Sequence, residues 1–196
     1  MRLCLFILCV PCLLFAAPVA GLVPTPEHHL EAAGNIRLSA DAAGISSIGR
    51  LGLSPGVDAG LMLGLRAGDL TGLTIGIPSR VQWLSQSKTG GLVRVTSDFW
   101  FSVTQASPEL LTELSATASA THSRKLMGAS FPTELRLTSG GLLSVHDKTD
   151  LEDQTDFHPI ILAGLGLYLI ENWSCSIEGG ISGGAGLFNL EASFQF

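Results

Sequence analysis

The sequence predicts an all-β protein: a closed antiparallel transmembrane β-barrel of ten strands (eight being the alternative), with no substantial helix after a leading apolar stretch. Three observations predict it. Apolar residues recur at every second position through most of the chain beyond residue 33, which is the signature of strands. When each strand is registered on its apolar residues alone, every charge within it falls on the other face. The chain also closes on LFNLEASFQF, an alternating segment whose last residue is Phe196, where a terminus would ordinarily fray into water.

Residues 1–20 stand apart from the rest. Arg2 opens a short positive start, Leu3 to Ala17 form an apolar run, and small residues follow to Gly21. That run is shorter than the roughly 20 residues a spanning helix needs, and Pro11 interrupts it. The segment reads as a secretory signal peptide cleaved after Ala20, with Ala17 as the alternative site. Cys4, Cys9 and Cys12 leave with it, so Cys175 is the one thiol of the exported chain and no internal disulfide forms. Residues 21–32 form a short N-terminal segment and residues 33–196 the barrel. The net charge is -6, and no Lys/Arg-rich run interrupts it, which argues against nucleic acid as a partner.

The strands follow in order. Ile36, Leu38, Ala40 and Ala42 oppose Arg37, Ser39 and Asp41. Val57, Ala59, Leu61, Leu63, Leu65 and Ala67 oppose Asp58, Gly60, Met62, Gly64 and Arg66. Leu73, Ile75, Ile77, Val81 and Trp83 oppose Thr74, Gly76, Arg80 and Gln82. Val93, Val95, Phe99, Phe101 and Val103 oppose Arg94, Thr96, Asp98 and Ser102. LLTELSATASA, FPTELRL, PIILAGLGLYLI and WSCSIEG repeat the habit less strictly and carry Glu113, Glu134, Arg136 and Glu178; the last strand carries Glu191. Side chains alternate across a pleated strand, so two environments are separated.

A soluble sandwich also alternates, with its charged face in water. The charged face here is rich in Gly, Ser, Thr and Arg balanced by carboxylates, and almost devoid of lysine. That composition suits a narrow polar interior. Trp83, Phe99, Phe101, Tyr168 and Trp173, with the terminal phenylalanines, read as an interfacial aromatic girdle. Backbone in lipid must be paired within the protein, so a spanning sheet has to close. The apolar face therefore looks out.

The terminal pattern Phe188, Leu190, Ala192, Phe194, Phe196 resembles the C-terminal signature of bacterial outer-membrane β-barrel proteins, with Ala192 smaller than the family's usual residue there. LYLIENWSCSIEG, with its turn at Glu171 to Trp173, resembles the periplasmic turns of small OmpA/OmpX-type barrels. The resemblance implies residence in the outer membrane of a Gram-negative bacterium. It also implies that Phe188, Leu190, Phe194 and Phe196 form a signal read by the outer-membrane assembly machinery. Termini then lie on the periplasmic side, with short turns below and longer loops above. Short connections are read at 68–69, 106–109, 138–141 and 171–173, and longer ones at 44–56, 85–91, 121–130, 147–159 and 179–186. Together they divide the chain into ten strands; eight result if Leu142 to His146 extends a neighbour.

Within the enclosed face, Arg37, Asp41, Asp58, Arg66, Arg80, Arg94, Asp98, Glu113, Glu134, Arg136, Glu178 and Glu191 are expected to form ion pairs, because unpaired buried charge is costly. His28, His29 and Glu31 invite a metal site, but their spacing fits no standard one, and a mobile segment is the plainer reading. The acidic stretch 147–156 lacks the glycine and closing glutamate of an EF-hand. His122 beside Ser123, and Ser144 near His146, fit no hydrolase motif. The reading is thus a monomeric, non-enzymatic barrel without cofactor or metal, in contact with outer-membrane lipid. Its role is structural or surface-interacting, around a mostly filled lumen. The alternative is a narrow pore for ions or small solutes; a lipid-modifying enzyme and a soluble sandwich are weaker rivals.

Overall fold

A computed structural model describes residues 24–85, 88–89, 93–125, 132–147, 154–170 and 172–196. Residues 1–20, read above as a signal peptide, and most of the acidic stretch (148–153) lie outside these residues. The strands are β1 (Leu30–Ser39), β2 (Ala42–Ser54), β3 (Val57–Gly68), β4 (Gly72–Leu84), β5 (Arg94–Ala106), β6 (Glu109–Lys125), β7 (Pro132–Asp147), β8 (Gln154–Ile170), β9 (Trp173–Ser182) and β10 (Ala185–Gln195). The described residues contain no helix.

Each strand pairs antiparallel with its neighbour in sequence, and β10 returns to β1. The closing register runs from Glu31 opposite Gln195 to Ser39 opposite Leu187. Phe196 completes it, its amide donating to the Leu30 carbonyl at 2.8 Å. Closure leaves no sheet edge unpaired.

The tight turns follow local chemistry. Pro55–Gly56 joins β2 to β3 with Gly56 at φ 81, a proline followed by the positive-φ glycine of a type II turn. Gly183 and Gly184, at φ 58 and 86, make the two-residue hairpin of β9 and β10. At the first hairpin Ser39 Oγ accepts from the Ala42 amide at 3.1 Å.

The strand number of ten rests on two compensating differences from the sequence reading. Residues 44–56 are not a loop; most of them form β2, whose alternation is blurred by small residues at Gly44, Ser46, Ser47 and Gly49. Residues 138–141 are not a turn; they lie mid-way along β7, where Gly140 and Gly141 pair with Ile160 and Pro159. A ring covers that gap. A Cβ on Gly141 would meet the Phe157 ring at 2.6 Å. These two shifts also reverse the expected distribution of connections. The longer ones, 85–93 and 126–131, lie at the end that carries the termini. At the opposite end the connections are tight at 40–41, 69–71, 107–108 and 183–184, with 148–153 longer.

The barrel also begins earlier than residue 33. Leu30 opens β1, and the segment ahead of it is bonded to the barrel: the His28 amide donates to the Gly52 carbonyl and Thr25 is buried.

Sidedness is marked. Leu61, Leu63, Leu65, Leu73, Ile75, Ile77, Leu135, Leu137, Ile161, Leu165 and Ile177 are all exposed on the outside, while Asp58, Arg80, Glu113, Glu134, Arg136, Glu178 and Glu191 are buried. An apolar belt of this extent is the exterior of a transmembrane barrel. The inside is not uniformly polar. Ala33, Ile48, Met62 and Trp100 form one buried apolar cluster, and Leu142, Ile160, Leu162 and Leu187 form another.

Leu63, near the middle of β3 and 57% exposed, tests the outer face. Leu63→Arg is expected to destabilise the folded barrel by about 2–4 kcal/mol, as cations do at a bilayer midplane. Reversible guanidinium unfolding in lipid vesicles measures this; a loss below about 0.5 kcal/mol, ordinary for a water-facing site, would contradict a lipid-facing Leu63.

Candidate functional site: the charged lumen

Alternation points the charged residues inward, and curvature brings them together from strands far apart in sequence. Near the termini, Glu31 of β1 receives the Arg50 guanidinium of β2 and, at 3.2 Å, that of Arg80 from β4. Arg50 Nη2 also lies 3.4 Å from Glu191 Oε2 on β10. Arg80 Nε donates to Asp58 Oδ2 at 2.8 Å. Two further groups close the cluster. The Thr25 amide donates to Asp58 Oδ2 at 2.7 Å, and Arg80 Nη2 donates to Thr25 Oγ1 at 3.2 Å. Gln195 Nε2 donates to Glu31 Oε2 at 3.1 Å. Two guanidinium groups and three carboxylates thus tie β1, β2, β3, β4 and β10 together, with the N-terminal segment laid across them.

Further pairs lie around the wall. Arg94 Nη2 donates to Glu134 Oε2 at 2.7 Å, and the Tyr168 hydroxyl donates to the other Glu134 oxygen at 3.3 Å. Arg136 lies between Asp98, at 3.1 Å, and Glu178, at 3.4 Å. Towards the opposite end Arg66 Nη1 donates to Glu113 Oε1 at 3.0 Å, and Ser102 donates to Glu113 Oε2 at 3.4 Å. His146 Nε2 and Glu109 Oε2 are 2.7 Å apart. Such pairs offset their desolvation only when both partners stay in place.

Two cavities lie inside the barrel as formed by the described residues. The larger, about 160 Å³, lies at the end away from the termini and is lined by Arg37, Asp41, Arg66, Glu113, Ser144 and His158 among others. A smaller one, about 20 Å³, continues inward past Arg37 to Asp98, Arg136, Glu178 and Asn189.

Several sequence expectations need correcting. Arg37 and Asp41 face the larger cavity without an ion pair among the described residues; Asp41 sits in the β1–β2 turn, where it is exposed. Tyr168 is no girdle residue, because its hydroxyl reaches inward to Glu134. The aromatic groups at the terminal edge are Trp83, Trp173, Phe194 and Phe196; Phe194 contacts Trp173 and Phe196 at centroid separations of 5.0 and 4.7 Å. Phe99 and Phe101 face out, but from mid-strand. Phe188, Leu190 and Ala192 face out half-buried along β10. Cys175, also half-buried, is a free thiol opposite Ala192.

The sequence pattern puts Glu31 in the N-terminal segment and Arg50 in a loop, whereas both lie buried inside the barrel. The Pro55–Gly56 turn was the signal that would have placed Arg50 in a strand. No group of three metal-ligating side chains occurs among the described residues; Glu31 binds arginines inside while His28 is exposed outside. His122 and Ser123, adjacent in β6, point to opposite faces. His146 hydrogen-bonds a carboxylate.

Solved structures similar to this chain include bacterial barrels. The N-terminal β-barrel domain of Pseudomonas aeruginosa OprF is 16% identical, with 87% of this chain and 98% of that one covered and a TM-score of 0.38. Neisserial surface protein A is 13% identical over 85% and 93%, with a TM-score of 0.41. The Acinetobacter baumannii outer membrane protein Omp33 is 10% identical over 87% and 99%, with a TM-score of 0.37. Likeness this distant adds nothing to what the closed sheet itself establishes. No family model and no curated protein matches the sequence.

Arg50→Met leaves Glu31 and Glu191 short of a buried counter-charge and is expected to cost about 3–5 kcal/mol. Adding Glu31→Gln and Glu191→Gln should restore most of it. Denaturant midpoints of the single and triple variants check this; equal destabilisation in both would contradict it.

Proposed function

We propose that this protein is an integral outer-membrane β-barrel of a Gram-negative bacterium, with a structural or surface-interaction role and a lumen kept shut by ion pairs. The observation that carries the reading is the buried Glu31–Arg50–Arg80–Asp58 cluster with Thr25 bonded into it. A side chain in such a cluster cannot swing aside without stranding its partner's charge. Trp83, Trp173, Phe194 and Phe196 set the depth of the barrel as an interfacial girdle. The alternating Phe188, Leu190, Phe194 and Phe196 serve the assembly machinery. The terminal end faces the periplasm, and the opposite rim, with its tight turns and the stretch 148–153, is the surface shown outside. The barrel works as a monomer and catalyses nothing.

A second reading, a narrow pore, is favoured by one observation: Arg37 borders both cavities. Planar-bilayer recording separates the two. The wild-type barrel is expected to give no steady conductance steps. Arg80→Ala, which removes the group shared by Asp58, Glu31 and Thr25, is expected to give brief openings while keeping heat-modifiable gel mobility. Steady steps from the wild type would overturn the closed reading.

A further inference from the structure

The larger cavity holds donors that the rest of the protein does not use. Among the described residues Arg50, Arg66, Arg80, Arg94 and Arg136 each have a carboxylate within 4.0 Å, and Arg37 does not. Its guanidinium borders both cavities from the inward face of β1. His158, Ser144 and Ser182 line the same space, and their side chains hydrogen-bond no other described residue. The imidazole lies against the β9–β10 turn, where a Cβ on Gly184 would meet nothing but one on Gly183 would collide with the ring. Glycine at 183 therefore leaves room for the ring there. The carboxylates facing this space are Glu113, already engaged by Arg66 and Ser102, and Asp41, exposed in its turn. A volume of about 160 Å³ admits a small polar ion but no polymer coil.

A guanidinium with no carboxylate within 4.0 Å, set among hydroxyls and an imidazole, leaves donors available beside Glu113 and Asp41. Guanidinium forks match the oxygens of phosphate bidentately. We propose that this vestibule binds a small phosphate-type oxyanion, with Arg37 as the principal ligand and His158, Ser144 and Ser182 as supporting donors. The site stands whether or not the lumen conducts. The phosphate is either free in solution or carried on a lipid headgroup that reaches over the rim.

Titration calorimetry of the folded barrel in zwitterionic detergent, with inorganic phosphate at low ionic strength, tests this. Saturable binding to one site is expected, at least tenfold weaker in Arg37→Gln, several-fold weaker in His158→Gln and unchanged in Lys88→Gln. Heat-modifiable mobility confirms that each variant is folded. Repeating the titration in vesicles with and without phosphatidylglycerol identifies the source: suppression by that lipid assigns the site to headgroups, and its absence assigns it to free phosphate. Lack of saturable binding by the wild type, or equal affinity in Arg37→Gln, would overturn the proposal. So would an equal loss in Lys88→Gln, which would mark diffuse charge attraction.

Discussion

Everything in this structure depends on the pairing of β1 with β10. Without it, the two outer strands would present rows of amide and carbonyl groups to hydrocarbon, each costing several kcal/mol with no water to replace the lost partner. With it, the sheet has an inside and an outside, and strand alternation sorts every side chain between them. The charged cluster at the terminal end also spans this seam. Glu31 and Gln195 sit opposite each other in the closing register, and Arg50 reaches Glu191 across it. Closure is therefore held by side chains as well as by backbone.

The interior combines two kinds of contact that serve different ends. Apolar groups such as Trp100 against Met62 and Ile48 fill space and resemble an ordinary core. The ion pairs fix strands at definite separations around the ring, because a guanidinium fork and a carboxylate tolerate little displacement. Their distribution is uneven. The cluster is dense near the termini, where Thr25 joins it, and sparse at the other end, where Arg37 looks into open space. The barrel is thus polarised along its axis, and the proposals of a shut lumen and of a vestibule for an anion both follow from that asymmetry.

The sequence exposes the fold class because the alternation in β3, β4 and β5 is nearly unbroken, and because a charge on the wrong face would have betrayed a false register. It exposes less where residues are small. In β2 the run Gly44, Ser46, Ser47, Gly49 carries no face, since glycine and serine suit either environment, and a strand passed for a loop. In β7, Ser139, Gly140 and Gly141 read as a turn although Phe157 from β8 packs over the gap. Pairings were hidden for a different reason. Arg136 with Asp98, or Arg66 with Glu113, meet because of ring curvature and strand stagger, which no local pattern encodes. Tyr168 was misplaced because an aromatic residue near a strand end suits the girdle as well as the lumen; only its partner Glu134 decides.

Sidedness is the central claim, and the three tryptophans test it directly. Trp100 is 2% exposed and lies inside the barrel, whereas Trp83 and Trp173 are on the outside at 62% and 42%. Single-tryptophan variants, with the other two changed to phenylalanine, can be placed in vesicles containing brominated lipids. Fluorescence from Trp83 and Trp173 should be strongly quenched and that from Trp100 nearly untouched. Equal quenching of all three, or quenching of Trp100 alone, would contradict an apolar exterior wrapped around an enclosed charged interior.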